Sequence, residues 1–366
     1  MKPLRVLQIS YAMDLGGAET LLMNLYRNVD RSMVQFDFLL HCPTESVYEK
    51  EIQSLGGKIY RIPRYLGFNK ISYERELTGF LKSHPEHIII HDHLMDSASE
   101  TLRIAKRLGR ITIAHSHAAS APFALKDIYR FFFRRNLWKI ADYRFACSEE
   151  AGKWLYRNKA DFMLLRNGIE TSRFRYSEET RTLVRKKLGI ENSTLVIGIV
   201  GRLDAIKNHI RLLKIMSCLV SFQGNPTLLI IGDGPLEKEL KETTGKLKLD
   251  EKVIFTGPRK DVAELLTAMD CFVLPSVSEG FGIALIEAQA SGLPCVFTDT
   301  IPKAVDLIPQ LIHRVSLSES DEIWAQAILS SRPLESRENA WKTIADKGYD
   351  ITDSARQLQS FYLGIC

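Results

Sequence analysis

Strand-like and helix-like segments alternate along this chain of 366 residues, and the alternation starts again in the second half of the chain. A strand followed by a helix and then by another strand is typical of a parallel sheet covered by helices. The length exceeds what one core usually needs and fits two domains. The sequence therefore predicts an α/β chain with two doubly wound, Rossmann-like domains. The strand-like segments are residues 4–10, 36–40, 58–62, 87–91, 111–115 and 143–147 in the first half, and 195–200, 228–231, 253–255, 271–274 and 295–297 in the second.

The boundary between the halves is predicted close to Asn167-Gly168, because Asn-Gly is a strong turn signal. We expect domains over residues 1–170 and 171–345, followed by a helical segment over residues 346–366 that can pack back on the first domain. Ligands of open α/β sheets bind at the carboxyl ends of the strands. The site is therefore expected in a cleft where these ends of the two domains face each other.

Composition is that of an ordinary globular protein, with 45% apolar residues, 25% charged residues and a net charge of +5. This modest charge, without a nucleic-acid motif, weighs against a nucleic-acid partner. No apolar run approaches the roughly 18 residues that a membrane span needs, and the first apolar run is too short for a signal peptide. The six cysteines show no CxxC spacing, which favours buried, reduced thiols. We expect a cytoplasmic protein.

Glu279 and Glu287 are the most informative pair of side chains. Gly280-Phe281-Gly282 follows the first of them, and an apolar run that predicts a helix leads to the second. A helix start offers unpaired N–H groups and the positive end of its dipole to an anion. Two carboxylates beside an anion suit a ligand that also carries hydroxyl groups, which is the description of a nucleotide sugar.

Arg202 and Lys207 follow the predicted strand at residues 195–200 and precede a predicted helix. Two cations beside a helix start can hold a diphosphate and neutralise a phosphate leaving group. The alternative is a solvated loop with two surface charges. The segment from Glu279 to Glu287 follows a later strand of the same domain, and this favours the diphosphate interpretation.

Two further segments carry weaker signals. Gly16-Gly17 follows the first strand and starts a helix, so that backbone amides can approach an anion there. A plain turn explains these two glycines equally well. Arg259 follows the strand at residues 253–255 and could reach a nucleobase or a phosphate, but a single arginine is weak evidence.

Four histidines lie at the ends of two successive strands, in His91-Asp92-His93 and in His115-Ser116-His117. Three interpretations stay open: contact with a substrate at the cleft, capping with satisfied polar groups, and a zinc site of alternating histidines. Substrate contact is favoured. Zinc is the least favoured, since alternate residues share a face only while the strand continues.

The segment from Tyr129 to Lys139 is both basic and aromatic. On a helix its aromatic rings gather on one broad face with arginines beside them, which suits the surface of an anionic membrane. The alternative is a core helix whose arginines extend to solvent. Membrane contact is slightly favoured, and nucleic-acid binding is disfavoured.

Taken together, the motifs resemble those of the retaining glycosyltransferases of family 4, which have the GT-B fold of two Rossmann-like domains. The resemblance spans nearly the whole chain in the same order, and it is strongest to bacterial exopolysaccharide and capsule glycosyltransferases. It rests on Gly16-Gly17-Ala18-Glu19, Asn167-Gly168-Ile169, Gly201-Arg202-Leu203, Lys207-Asn208, Gly232-Asp233-Gly234-Pro235, Pro275-Ser276, Glu279-Gly280-Phe281-Gly282, Glu287-Ala288 and Gly292-Leu293-Pro294.

The resemblance implies roles at the reacting centre. Arg202 and Lys207 match the pair that binds the donor diphosphate and stabilises the departing nucleoside diphosphate. Glu279 matches the carboxylate beside the donor sugar. His117 is the better match to the first-domain histidine of the reaction centre, and His115 is its close rival.

The resemblance also implies contacts to the donor and the acceptor. Glu287 matches the carboxylate that holds the ribose hydroxyls, and Arg259 fits a position near the base. The remaining donor contacts are Gly16, Gly17, Gly280, Phe281 and Gly282, and the acceptor side of the cleft carries His91, His93 and His115. No metal is expected, because Arg202, Lys207 and the helix dipole supply the positive charge.

These observations predict a retaining transfer of a hexose from a nucleotide diphosphate sugar, with UDP favoured, to a lipid-linked or growing polysaccharide acceptor. The enzyme is expected in the cytoplasm, with contact to the inner face of the plasma membrane through the segment from Tyr129 to Lys139. Two alternatives remain: a GT-B sugar-nucleotide epimerase, which needs no acceptor, and a non-catalytic GT-B scaffold.

Overall fold

The computed structural model describes residues 2–14, 16–94, 97–117, 136–157, 159–223, 225–334 and 336–366. It divides into two compact units. The first comprises Met1–Ile169 and Tyr349–Cys366, and the second comprises Glu170–Gly348. Within the described residues, no helix combines the length and the apolar character that crossing a bilayer requires.

A seven-stranded parallel sheet forms the centre of the first unit, in the order β3-β2-β1-β4-β5-β6-β7. Its strands are β1 Leu4–Ser10, β2 Val34–Leu40, β3 Ile59–Arg61, β4 Ile89–Asp92, β5 Ile111–Ser116, β6 Tyr143–Ala146 and β7 Met163–Leu164. The described helices of this part are α1 Gly17–Asn28, α2 Glu49–Ser54, α3 Lys70–Ser83, α4 Ala98–Arg107, α5 Leu137–Ile140 and α6 Glu149–Tyr156.

Both faces of this sheet are buried. Successive side chains of β1 point to opposite faces: Val6 belongs to one apolar cluster, and Leu7 and Ile9 belong to the other. A strand that is covered on both sides reads as a continuous apolar run, which is why the sequence predicted these strands. Gln8 interrupts the run but is fully buried, and the pairing of β1 with β4 sets it beside His91.

The second unit repeats the plan with a six-stranded sheet in the order β10-β9-β8-β11-β12-β13. Its strands are β8 Val196–Val200, β9 Thr227–Ile231, β10 Val253–Gly257, β11 Cys271–Leu274, β12 Cys295–Thr298 and β13 Ile312–Val315. Its helices are α7 Glu178–Lys187, α8 His209–Gln223, α9 Glu237–Lys246, α10 Val262–Ala268, α11 Ile283–Ala290, α12 Asp321–Ser330 and α13 Ala340–Ile344.

The last helix, α14 Ile351–Gly364, belongs to the first unit. Leu358 and Tyr362 are buried in the cluster that contains Val6, Phe36 and residues of α1. The last segment of the first unit therefore follows the whole of the second unit along the chain. A backbone bridge between Ile169 and Asp350 joins the place where the chain leaves this unit to the place where it returns.

In each sheet the strand order reverses at one point, between β1 and β4 in the first unit and between β8 and β11 in the second. At such a point the connections leave in opposite directions and open a crevice beyond the carboxyl ends of the two strands. The topology therefore gives each unit one expected binding position.

Candidate active site

The reversal point of the second sheet brings two charged side chains together from distant parts of the chain. Lys207 follows β8, Glu279 follows β11, and the ammonium Nζ donates to the carboxylate Oε1 at 2.6 Å. The Ser276 hydroxyl donates to the same oxygen, also at 2.6 Å. The lysine and the carboxylate are thus held where a ligand of this sheet is expected.

Local hydrogen bonds shape the loop that carries Lys207. The Asp204 carboxylate accepts from the backbone N–H groups of Ile206 at 3.0 Å and Lys207 at 3.1 Å. Asn208 adopts a left-handed backbone conformation with φ of 55°, which asparagine tolerates better than most residues. Its side-chain amide donates to the Pro275 carbonyl at 3.1 Å, which ties this loop to the one after β11.

Arg202 lies in the same loop and is exposed. Among the described residues its guanidinium has no hydrogen-bond or ion-pair partner. The backbone of the next residue, Leu203, is held in place, because its N–H donates to the Asp233 carbonyl at 2.8 Å. Arg202 is therefore a cation on a fixed loop that can turn toward an anionic ligand.

The turn after β9 explains two glycines of the sequence pattern. A Cβ atom at Gly232 would lie 2.1 Å from the Gly201 carbonyl oxygen, and one at Gly234 would lie 2.5 Å from that of Leu203. Gly232 also has a positive φ of 136°. Only glycine lets this turn lie so close to the loop that carries Arg202.

The segment from Gly280 to Gly282 leads into α11. Gly282 precedes the helix with a φ of 87°, and no side chain among the described residues caps the helix start. Gln289, a fully buried residue near the end of the helix, ties it to the segment before β13. Its amide donates to the Val305 carbonyl at 2.8 Å and accepts from the Ile308 N–H at 2.9 Å. The uncapped helix start carries the partial positive charge that attracts an anion.

Glu287 lies on α11. Burial raises the pKa of its carboxyl to about 7, and the positive charge of Arg173 opposes this rise. Its carboxylate has no hydrogen-bond partner among the described residues. Two hydroxyl groups of a bound ligand would each donate a hydrogen bond to this carboxylate.

Arg259 follows β10 and is paired with its own neighbour. Its Nε donates to one oxygen of the Asp261 carboxylate at 2.7 Å, and a terminal nitrogen donates to the other at 2.5 Å. The structure does not bring it into contact with Lys207 or Glu279.

At the reversal point of the first sheet, Gly16 and Gly17 begin α1. Gly16 is the residue before the helix, and its backbone is extended with φ of −91°. A Cβ atom there would lie 2.1 Å from the Glu19 carboxylate, whereas one at Gly17 would meet no atom of the described residues within 4 Å. The space above Gly17 is thus open to a neighbouring group.

The four histidines form one cluster in the first unit. His91 ends β4 with Asp92, His115 ends β5 with Ser116, and each of His93 and His117 follows its strand by one residue. The ring centroids of His115 and His117 are 4.1 Å apart, and those of His91 and His93 are 4.4 Å apart. His93 and His117 also share a hydrogen bond of 2.8 Å.

Burial keeps these imidazoles neutral. It lowers the pKa of His91 to about 3 and that of His117 to about 4, and it lowers those of His93 and His115 well below the usual value. The first three histidines have ring nitrogens within 4.8 Å of one another, as a metal site would require. However, both nitrogens of His93 already have hydrogen-bond partners, namely His117 and Gln8.

Comparison with known proteins decides the family. Residues 180–343 match the family described as Glycosyl transferases group 1. The Bacillus subtilis protein named "Putative glycosyltransferase EpsF" is 35% identical over 371 residues, which cover 98% of this chain and 96% of the relative. The chain belongs to glycosyltransferase family 4. It is an enzyme of the glycosyltransferase class.

Two other similarities extend this result. The family 4 chain superposes on the crystal structure of Anabaena HepE in complex with UDP with a TM-score of 0.80 and 18% identity, over 100% of both chains. This likeness confirms the predicted GT-B fold. An Escherichia coli enzyme named UDP-Gal:alpha-D-GlcNAc-diphosphoundecaprenol alpha-1,3-galactosyltransferase is 31% identical over 150 residues, 40% of this chain and 39% of the relative.

Sequence reasoning missed several residues that shape the site of this glycosyltransferase. Ser276 and Asp204 orient Glu279 and Lys207, and Gln8 and Tyr362 contact the histidine cluster. Ser276 stands in one of the motifs that carry the resemblance, and Gln8 carries a signal of its own, since a polar side chain inside an apolar strand needs a partner. The predicted membrane segment lies mostly outside the described residues, which resume at Asn136.

Proposed function

We propose that this glycosyltransferase transfers a hexose from a UDP-sugar to a lipid-linked or growing polysaccharide acceptor of a bacterial envelope, with retention of the anomeric configuration. The observation that carries the proposal is the Lys207–Glu279 pair, which lies with Arg202 at the reversal point of the second sheet. Two cations there suit a diphosphate, and the carboxylate suits the hydroxyl groups of a sugar.

The nucleotide and the acceptor class are supported by the relatives. HepE was crystallised with UDP, and the name of the E. coli relative specifies a UDP-linked donor and a diphosphoundecaprenol-linked acceptor. We extend both features to this chain. A lipid-linked acceptor also favours action in the cytoplasm at the inner face of the plasma membrane, with the segment from Tyr129 to Lys139 as the membrane contact.

On this proposal the donor takes the place of the hydrogen bond between Lys207 and Glu279. Lys207 would exchange the Glu279 oxygen for a phosphate oxygen, Arg202 would turn to the same diphosphate, and Glu279 would accept from the sugar hydroxyls. Glu287 would accept from the ribose hydroxyls. The remaining contacts are proposed for the backbone at Gly16, Gly17, Gly280, Phe281 and Gly282, for Arg259 near the base, and for His117 with His91, His93 and His115 beside the acceptor.

In the proposed reaction the acceptor oxygen attacks the sugar C1 from the same face that the leaving group departs from. The bond between the sugar C1 and the phosphate oxygen breaks, the acceptor oxygen bonds to C1, and the acceptor proton passes to the departing UDP. Arg202, Lys207 and the start of α11 stabilise the charge that develops on the phosphate. We propose that no metal ion is required, because these groups provide the positive charge.

A nucleotide screen tests the proposal. We expect UDP to raise the melting temperature of the protein, while GDP and ADP raise it little, because binding to the folded state stabilises it. UDP-sugars that bind are then incubated with and without an undecaprenyl diphosphate-linked glycan, and the product linkage is determined by NMR. Absence of a shift with every nucleotide contradicts the proposal, and conversion of the UDP-sugar to its epimer without acceptor indicates an epimerase.

A further inference from the structure

A continuous path of buried and partly buried hydrogen bonds links the last helix to His117 in the first unit. The Tyr362 hydroxyl lies 2.5 Å from His91 Nδ1 and accepts from Gln8 Nε2 at 3.2 Å. Gln8 Oε1 lies 2.9 Å from His93 Nε2, and His93 Nδ1 lies 2.8 Å from His117 Nε2. The path crosses from α14 through β1 to the ends of β4 and β5.

The side-chain amide of Gln8 gives this path a direction. Because Oε1 can only accept, His93 must carry its proton on Nε2. A neutral His93 then has a lone pair on Nδ1, so the proton between the two rings belongs to His117 Nε2. His117 consequently has a lone pair on Nδ1, an atom that is buried and has no hydrogen-bond partner among the residues that the structure describes.

The same orientation of the Gln8 amide fixes the protons on its other side. Gln8 Nε2 donates to the Tyr362 oxygen, and the Tyr362 O–H therefore points to His91 Nδ1. Rotating the Gln8 amide by half a turn would reverse every proton in the path. Gln8 is thus the residue that decides between two opposite arrangements.

The distance between His93 and His117 favours a shared proton over a shared metal. Two imidazoles on one tetrahedral zinc ion, with bonds of about 2.0–2.1 Å, have their ligand nitrogens roughly 3.3 Å apart. The observed separation is 2.8 Å, which is a normal hydrogen-bond length. The path also distinguishes the rival histidines, because both ring nitrogens of His115 lack a hydrogen-bond partner in the described part of the chain.

We propose that Gln8, His93 and Tyr362 are positioning residues that hold His117 in one tautomer, with the proton on Nε2 and the lone pair on Nδ1. That lone pair is then fixed to accept a hydrogen bond from a hydroxyl of a bound sugar. The sugar-binding part rests on the function proposed above, whereas the tautomer is a property of the protein alone.

The tautomer is measured directly by NMR of protein labelled with ¹⁵N-histidine, in which two- and three-bond couplings show the ring nitrogen that carries the proton. The His117→Asn variant identifies the His117 signal. We expect protonation on Nε2 in the wild type. Gln8→Met, which keeps the volume but removes the acceptor for His93, is expected to convert the signal to Nδ1–H or to a mixture.

Matched variants separate this effect from general damage to the core. Tyr362→Phe is expected to weaken the tautomer preference as well, because the amide of Gln8 loses the acceptor that orients it. Gln35→Met and Tyr26→Phe remove a buried amide and a buried tyrosine hydroxyl whose hydrogen bonds go to the Leu55 carbonyl, outside the path. We expect both to leave the His117 signal unchanged.

Turnover provides the second readout. Gln8→Met and Tyr362→Phe are expected to lower kcat about 10-fold or more, because a catalytic-site histidine in the wrong tautomer works poorly, and to leave UDP affinity unchanged. Protonation on Nδ1 in the wild type would overturn the inference, as would an unchanged tautomer in both variants. Failure of the wild type to bind UDP would instead count against the proposed function, since the tautomer is measured without any nucleotide.

Discussion

Lys207 and Glu279 are bonded to each other, and of these two side chains it is the lysine that is proposed, together with Arg202, to neutralise the leaving group. Lys207→Ala is expected to lower kcat/KM about 100-fold or more, as loss of a group that stabilises developing charge usually does. The melting temperature should change by only a few degrees, because the Ser276 hydroxyl still donates to the Glu279 carboxylate that the lysine leaves behind. Transfer assays and thermal unfolding measure the two effects.

Lys241→Ala is the matched control. Lys241 and Glu237 form an ion pair with the same separation of 2.6 Å, but with side chains 55% and 41% exposed instead of 19% and 10%. The control should keep full turnover. Normal transfer by Lys207→Ala would remove the lysine from the donor site.

Glu287 makes the stability of the protein depend on pH. Burial raises the pKa of its carboxyl from 4.5 to about 7, so between these values the folded protein holds a proton that the unfolded chain has released. The free energy of unfolding therefore decreases as the pH rises through this window. Glu287→Gln is expected to be more stable than the wild type at pH 8, by about 1–3 kcal/mol, and similar to it at pH 4.

Urea unfolding at both pH values measures the effect on Glu287→Gln. Glu242→Gln, on the exposed face of α9, serves as the control and should change stability little at either pH. A wild type that is more stable than Glu287→Gln at pH 8 would contradict this account of the carboxyl.

At the scale of residues, sequence motifs selected the charged side chains but not their partners. Arg202, Lys207 and Glu287 stand in recognisable spacing. The bond between Lys207 and Glu279 spans 72 positions and depends on β8 lying next to β11, which the order of the strands in the chain does not state. Tyr362 has no signal at all, because an apolar helix position suits a tyrosine with or without a partner for its hydroxyl.

At the scale of elements, the turn after β9 is expected to be intolerant of any side chain. Gly232→Ala places a methyl group against the Gly201 carbonyl and strains a positive φ, so the loop that carries Arg202 must move. We expect reduced stability and weaker UDP binding, measured by thermal unfolding and calorimetry.

Gly245→Ala is the control for a glycine in an ordinary position. Gly245 lies in α9, and a Cβ atom there would only reach normal contact, 3.5 Å from the Asp250 carboxylate. Because glycine is unfavourable inside a helix, this variant should gain about 0.5–1 kcal/mol of stability and bind UDP normally. Equal behaviour of the two variants would show that the turn does not need its glycine.

The interior strands were predictable because they are buried on both faces, whereas two of the four edge strands were missed. Most predicted strands agree with the observed ones to within two residues. The prediction missed β7, which has only two residues, and β13 Ile312–Val315, whose first three residues are partly exposed. An edge strand contains polar residues and is defined by its neighbour, so its own sequence resembles a loop.

At the scale of the whole molecule, the two units differ in how the chain supplies them. Residues 170–348 form one unit without interruption, whereas the other needs both ends of the chain. A fragment of residues 170–348 is therefore expected to fold cooperatively and to bind UDP. A fragment of residues 1–169 is expected to fold poorly, because the core that holds Val6 and Phe36 lacks α14.

Circular dichroism and calorimetry test both fragments, and addition of a peptide of residues 349–366 provides the control. The peptide should restore cooperative unfolding to the fragment of residues 1–169 and have no effect on the other. Cooperative unfolding of residues 1–169 alone would show that α14 is dispensable for that unit.

The return of the chain to its first unit has a consequence for synthesis. Domains usually fold in the order in which they leave the ribosome, but here the sheet that is made first must wait for the helix that is made last. The second unit can complete its core while translation continues, and the first stays open along the surface that α14 covers. During that interval the apolar face of α1 and β2 is available to chaperones, so stalled or prematurely released chains should carry a folded second unit and an unfolded first unit.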